Sequence, residues 1–175
     1  EDYKCFLQLV NKEFNLTNLA KEELIYGSYF YESLVPYAKI DFSKIKHILD
    51  IGSGSGIPGI LFKLVYPHID LTIIEATGKK ATFLRDLVAR LKLKNVDVRN
   101  QRAEEINDND RERFDLVTSR AVADLKAILE ISAPYAKVDG LIVEPKSTKY
   151  FEEERSAKDI IKSLDLTKIK DIEFK

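Results

Sequence analysis

The sequence predicts an α/β fold, a mostly parallel sheet with helices on both faces, preceded by an N-terminal helical extension. Three observations lead there. Short apolar runs alternate with helical spacing from residue 47 onward; the first run, Ile48-Leu49-Asp50-Ile51, enters a turn containing Gly52, Gly54, Gly56 and Gly59; and the residues before it show helical spacing alone. Strands and helices in alternation build right-handed β-α-β crossovers, which make the strands parallel and cover both faces of the sheet.

Apolar residues recur at Phe6, Leu7, Val10 and Phe14, and again at Leu24, Ile25, Phe30 and Leu34 in a second helical stretch from Lys21 to Tyr37. These stretches form an N-terminal segment, residues 1–45. Residues 46–175 form the core, and 175 residues is the length of one domain overall. After the first strand the pattern predicts a helix from Pro58 to Tyr66, a strand at Leu71–Ile74, a helix from Lys79 to Leu93 and a strand at Val96–Asn100. A short helix at Ala103–Ile106 and a polar loop at Asn107–Arg113 follow, flexible at Asn107–Asp110. Next come a strand at Phe114–Ser119, a helix over Leu125–Ala136, a strand at Leu141–Glu144, a charged helix over Lys149–Leu164 and a last strand at Leu166–Phe174.

Composition narrows the setting. A net charge of −1 gives no global attraction to nucleic acid, so an RNA partner needs a local patch. Cys5 is the single cysteine, with no His or Cys nearby, which argues for a reducing compartment and against a zinc site. No run is long and apolar enough to cross a bilayer, and the first residues are too charged for a signal peptide. A cytoplasmic monomer without membrane or metal partners is expected. The sequence contains no methionine, so Glu1 is not expected to be the translation start.

The glycine turn has the form that holds a nucleotide-like cofactor, because glycine tolerates positive φ and lets a ligand approach the backbone. Two registers compete. Gly54-x-Gly56-x-x-Gly59 fits a dinucleotide loop, whereas Gly52-x-Gly54-x-Gly56 after Asp50 fits the loop by which class I methyltransferases hold S-adenosylmethionine (SAM). The dinucleotide fingerprint begins where its strand ends, here at Gly52, which puts Ile57 in the third glycine position. Pro58 also removes an N–H that a pyrophosphate would use. SAM carries no phosphate, and its ammonium and sulfonium suit Asp50 and the loop carbonyls. The expectation is therefore a Rossmann-like class I SAM-dependent methyltransferase core.

Ligands of such sheets lie beyond the carboxyl ends of the strands, and several residues fall there. Glu75, 25 residues beyond Asp50, stands where a carboxylate accepts both ribose hydroxyls of an adenosine. Ala103 and Glu104 fall where a small residue meets adenine and a carboxylate or its backbone meets the exocyclic amine. Arg120, among small and apolar residues, can fork onto the cofactor carboxylate or an RNA phosphate. Lys79, Lys80, Arg102, Arg120, Lys146 and Lys149 follow strands on the same edge, and a positive field there would guide RNA. Lysine and arginine are common enough in this chain for chance to produce the same row. His47 and His68 lack acidic or nucleophilic neighbours and read as structural.

The missing groups also point somewhere. Methyl transfer to a pyrimidine carbon needs a cysteine nucleophile, and Cys5 is remote in sequence from every strand end. Transfer to an exocyclic amine usually uses an Asn/Asp-Pro-Pro-aromatic loop, where this chain reads Ser119-Arg120-Ala121-Val122. An acceptor with an available lone pair, such as N7 of guanine, needs neither, so no catalytic side chain and no general base is expected.

Read together, Asn15-Leu16-Thr17, the Asp50 to Gly59 loop, Lys79-Lys80 leading into Phe83-Leu84, Arg102-Ala103-Glu104 and Ser119-Arg120-Ala121-Val122-Ala123 resemble the RsmG (GidB) family over almost the whole chain. That resemblance implies a methyltransferase acting with SAM on N7 of a guanosine in 16S ribosomal RNA, free or in the small ribosomal subunit. It also implies that Gly52, Ile57, Ala103, Glu104 and Arg120 line the SAM site. The chain departs from the family at Tyr29 and Glu32, where His and Asp are usual, and at Pro145-Lys146-Ser147, where Lys-Gly is usual. The family's C-terminal basic strands are not expected within these 175 residues, through truncation or divergence. A SAM-dependent methyltransferase for a small molecule or protein, an NAD-dependent oxidoreductase and a noncatalytic RNA-binding module are the rival readings.

Overall fold

In the computed structural model, which describes residues 2–13, 16, 25–146 and 150–171, five strands form one sheet. They are β1 (His47–Ile51), β2 (Asp70–Ile74), β3 (Val96–Arg99), β4 (Phe114–Ser119) and β5 (Ala136–Val143). The order is β3-β2-β1-β4-β5, and every neighbouring pair is parallel. The order reverses between β1 and β4, so a crevice opens over their carboxyl ends. Register brings the site residues to that edge: Ile51 lies opposite Ile74 on one side and Ser119 on the other.

Alternate residues of β1, β2 and β4 feed two cores. Ile48, Leu71, Ile73 and Leu116 pack with Tyr3, Leu7, Tyr37, Phe62, Leu84 and Leu87; Leu49, Ile51, Ile74 and Val117 pack with Leu125, Ile128, Leu129, Tyr135 and Ala157. Burial on both faces is why these strands are nearly continuous apolar runs. Each fully buried Leu, Ile or Phe contributes about 2 kcal/mol.

The helices are α1 (Asp2–Asn11), α2 (Gly59–Val65), α3 (Gly78–Arg90), α4 (Leu125–Ser132) and α5 (Tyr150–Ser163). Ala81, Leu84 and Leu87 recur along one face of α3, with Phe83 beside them, and Phe83 stacks on Phe6 of α1 at 5.3 Å. The N-terminal segment thus shares a core with the sheet. Asp124 caps α4 by accepting the Ala127 N–H at 2.9 Å. Pro134 ends the helix early, and a 3₁₀ turn at Ala133–Tyr135 leads into β5 five residues before the expected strand start.

Other expectations are corrected. The second N-terminal helix is a π-helix at Ile25–Tyr31, one α turn at Glu32–Leu34 and a 3₁₀ turn at Val35–Tyr37; residues 21–24 lie outside the described residues. Ser33 donates its hydroxyl to the Tyr29 carbonyl, competing with the regular ladder, and Pro36 has no N–H to continue it. Residues 103–106 form a turn and bend and not a helix, with the Ala103 carbonyl accepting the Tyr135 hydroxyl at 2.6 Å. The loop expected to be flexible contains a 3₁₀ turn at Asp108–Asp110, anchored by buried Asp110 accepting from Arg99 (2.5 Å) and Asn107 (2.6 Å). Residues 166–171 are not a strand. Lys168 and Asp171 instead join Glu154 and Tyr150 on α5, and residues 172–174 lie outside the described residues.

Candidate active site

The turn after β1 is held from several directions. The Gly52 N–H donates to the Ile74 carbonyl at 2.7 Å, and Gly56 donates to Ser53 O at 2.9 Å. Gly52 has φ +67°, and a Cβ there would meet Val122 Cγ2 at 2.5 Å. Gly56 has φ +97°, and its Cβ would meet Tyr3 Oη and Ile60 Cγ1, each at 2.8 Å. Both positions therefore require glycine, for conformation and for space. Val122 reaches Gly52 because Ala121 turns the chain at φ +56°. Tyr3 Oη donates to the Ser55 carbonyl at 2.6 Å, and the Tyr29 hydroxyl bonds the Ser55 hydroxyl.

Glu75 follows β2 and is 5% exposed. Its Oε2 accepts the Gly54 N–H (2.9 Å) and its Oε1 the Thr77 N–H (2.8 Å), so one carboxylate ties the glycine loop to the start of α3. Each oxygen retains a lone pair for a ligand. Asp50 is placed differently from the expectation that it faces the cofactor. It is 0% exposed beneath the loop, with Oδ2 accepting from Ser53 Oγ (2.5 Å) and the Gly59 N–H (2.8 Å). Burial pushes its carboxyl up to about 7, and the Glu75 charge adds to this against the Ser53 and Gly59 hydrogen bonds. Its Oδ1 has no hydrogen-bond partner among the described residues.

Across the crevice, Arg120 follows β4. Its Nη1 donates to Ser33 Oγ, and its guanidinium lies 5.5 Å from the centre of the Tyr29 ring. The Tyr37 and Thr118 hydroxyls pair at 2.5 Å, and Thr118 Oγ1 donates onward to Val143 O at 2.7 Å. Ser119 Oγ donates to Glu144 Oε2 at 2.5 Å, and burial pushes the Glu144 carboxyl up to about 8.

The structure thus brings the glycine loop, Glu75 and Arg120 to one edge. Ala103 is buried behind it, and Glu104 is exposed on the adjoining turn. The Ile57 side chain enters the core, leaving its backbone to the loop. Lys79 is exposed and Lys80 half-buried in the first turn of α3, which contains no acidic residue. Two cations there oppose the helix dipole, a placement that costs some helix stability and favours an anion nearby. Lys146, expected to guide RNA, is held by partners within the fold. Its side chain is 12% exposed, and its ammonium donates to Ala123 O (2.6 Å) and pairs with Glu153 (3.1 Å), which neutralises it inside the fold. Lys149 lies outside the described residues.

Sequence reasoning missed Tyr3, Tyr29, Ser33 and Glu144. Glu144 had a signal, an acid ending an apolar strand, and Tyr29 had one as a departure from the family pattern; Tyr3 and Ser33 had none, because Ser55 and Arg120 lie 52 and 87 residues from them. Cys5 lies on α1 and is exposed. His68 is structural, with Nε2 3.1 Å from the Phe42 carbonyl.

A family model described as rRNA small subunit methyltransferase G matches residues 1–173. A protein named Ribosomal RNA small subunit methyltransferase G from Ureaplasma parvum serovar 3 is 47% identical over 173 residues, covering 97% of this chain and 80% of the relative. One of the same name from Malacoplasma penetrans is 47% identical over 176 residues, covering 98% and 74%. Among solved structures, the O-methyltransferase of a trans-AT PKS multienzyme from Brevibacillus brevis, in complex with S-adenosyl-L-homocysteine, matches with TM-score 0.62 at 18% identity, over 81% of this chain and 47% of that one. Precorrin-6y C5,15-methyltransferase from Geobacter metallireducens GS-15 matches with TM-score 0.60 at 21% identity, over 75% and 68%. At these identities the solved structures share the fold.

Proposed function

The chain belongs to the rRNA small subunit methyltransferase G family, and from that premise we propose that it transfers a methyl group from SAM to N7 of a guanosine in 16S ribosomal RNA. The observation that supports this most is the joining of the glycine loop to Glu75 beside Arg120. The residues suit the cofactor on two structural grounds. Gly54 is open where a Cβ would stand, with the Gly52 carbonyl at 3.9 Å, so a ligand can approach the backbone there, and the Glu75 carboxylate that accepts its N–H keeps lone pairs for hydroxyl donors.

When bound, SAM supplies an electrophilic methyl group on a sulfonium. Glu75 would accept the ribose hydroxyls while still holding Gly54 and Thr77. The backbone of Gly52, Gly54, Gly56 and Ile57 would hold the methionine part, and Ala103 with Glu104 would border adenine. Arg120 offers its remaining N–H groups to the cofactor carboxylate or an RNA phosphate. The acceptor N7 already carries a free lone pair, so no side chain has to remove a proton. Alignment and exclusion of water are the protein's task, and in favourable cases they account for about 7–11 kcal/mol of a barrier.

The test is incubation with labelled SAM and undermethylated small subunits, followed by cleavage at N7-methylguanosine. Label released at a guanosine supports the reading; unlabelled RNA overturns it. We further read the protein as a cytoplasmic monomer needing no metal, testable by sedimentation and by activity in chelator. No helix among the described residues is long and apolar enough to cross a membrane.

The lysines give a separate prediction. Replacing Lys79 and Lys80 by alanine is expected to flatten the salt dependence of substrate affinity by about 0.7 log units per lost contact with single-stranded phosphate. Lys146→Met is expected to leave that slope intact and cost about 1–2 kcal/mol of stability, since it strips the Ala123 carbonyl and Glu153 of a partner. Titrations at several salt concentrations, with denaturant unfolding of each variant, read both outcomes. An unchanged slope in the double variant removes Lys79 and Lys80 from the RNA path.

A further inference from the structure

We propose that Tyr29 is a positioning residue that couples the glycine loop to Arg120, so that the cofactor side and the anion-binding side of the crevice are set by one side chain. Tyr29 is 7% exposed and sits in the π-helix at Ile25–Tyr31, a form frequent at functional sites. Its hydroxyl bonds Ser55 Oγ within the loop, and its ring lies under the Arg120 guanidinium at 5.5 Å. Its carbonyl completes a third link. A guanidinium donates and never accepts, so the Ser33 oxygen that receives Arg120 Nη1 must direct its own proton elsewhere. That proton goes to the Tyr29 carbonyl.

Ring, carbonyl and hydroxyl therefore act in one direction. The ring and Ser33 fix the guanidinium in position and leave its other N–H groups for an anion, while the hydroxyl holds the loop at Ser55. A shift of the loop on the cofactor is felt at Arg120, and the reverse. This inference rests on the reading of the site as a SAM-dependent RNA methyltransferase, and its test separates the two.

Tyr29→Phe, Tyr29→Leu, Arg120→Gln and the Leu/Gln double variant would be compared for SAM Kd by calorimetry, for KM and kcat on small subunits, and for Tm. Tyr29→Phe keeps the ring and loses the hydroxyl. It is expected to raise the SAM Kd about 5-fold and leave the KM for subunits unchanged. Tyr29→Leu loses both and is expected to raise that KM about 10-fold as well. In the Arg120→Gln background, Tyr29→Leu should raise KM no further, because its effect passes through the arginine. A merely structural tyrosine gives additive losses that follow Tm, and that result overturns the proposal. If the wild type labels no RNA, the methyltransferase reading fails by itself. A thermal-unfolding cycle of Tyr29→Phe with Ser55→Ala needs no ligand and still decides the loop contact: coupled effects support it, and additive effects overturn it.

Discussion

Glu75→Ala is expected to weaken SAM binding about 10- to 100-fold, the loss of one to two charge-assisted hydrogen bonds. Two effects combine in that number. The ribose hydroxyls lose their acceptor, and the Gly54 and Thr77 N–H groups, now 2.9 and 2.8 Å from the carboxylate, lose theirs. Glu75→Gln is expected to fare nearly as badly despite its shape, because an amide presents one donor where both carboxylate oxygens now accept a backbone N–H. Calorimetric titration of both variants, alongside thermal unfolding without ligand, separates cofactor contact from loop anchoring. Wild-type affinity in either folded variant removes Glu75 from the site.

The protein without cofactor is expected to lose stability as pH rises from about 5 to 8, against the usual trend near neutrality. The cause is two acids, fully buried Asp50 and half-buried Glu144, raised from 3.8 to about 7 and from 4.5 to about 8. An acid whose folded value lies above its unfolded value holds its proton in the fold at pH values where the unfolded chain has released it. Stability from Asp50 is therefore complete below about pH 4, declines by up to about 1.4 kcal/mol per pH unit, and is lost above about pH 7. Glu144 extends the decline to about pH 8. Asp115, whose carboxylate is lowered by Lys137 and the His47 and Lys46 N–H groups despite partial burial, acts in the opposite sense below its usual value and leaves this window untouched. Denaturant midpoints measured across the range check the slope, and Asp50→Asn, which has no proton to release, should remove the Asp50 share. A midpoint that is flat or rises with pH contradicts the assignment.

Much of the site was legible because it depends on short stretches of chain. The apolar run ending at Ile51 sets where the first glycine must fall, and the structure has β1 ending there, with Gly52 at positive φ. Glu75 could be read in the same way, as the acid that follows the next apolar run. The comparisons agree with the family inferred from these motifs. Side-chain destinations were another matter. Nothing within a few residues of Lys146 says that Ala123 and Glu153 will receive its ammonium, and nothing near Asp50 says that it turns down toward Gly59 rather than up. Turn endings fell between these extremes. Pro134 marks where α4 stops, but the Tyr135 hydroxyl that anchors the turn at Ala103 comes from 32 residues away.

By itself, the sequence determined the alternation of strands and helices, the register of the glycine loop and the acid that follows β2, because backbone conformation responds to neighbouring residues and to glycine's freedom. Tertiary structure decided which charges remain open to a ligand. It joined Tyr3 and Tyr29 to Ser55 across 52 and 26 residues, and Arg120 to Ser33 across 87. A buried polar group must find a partner or carry a large desolvation cost, and the partner it finds is whichever remote group packing brings within reach.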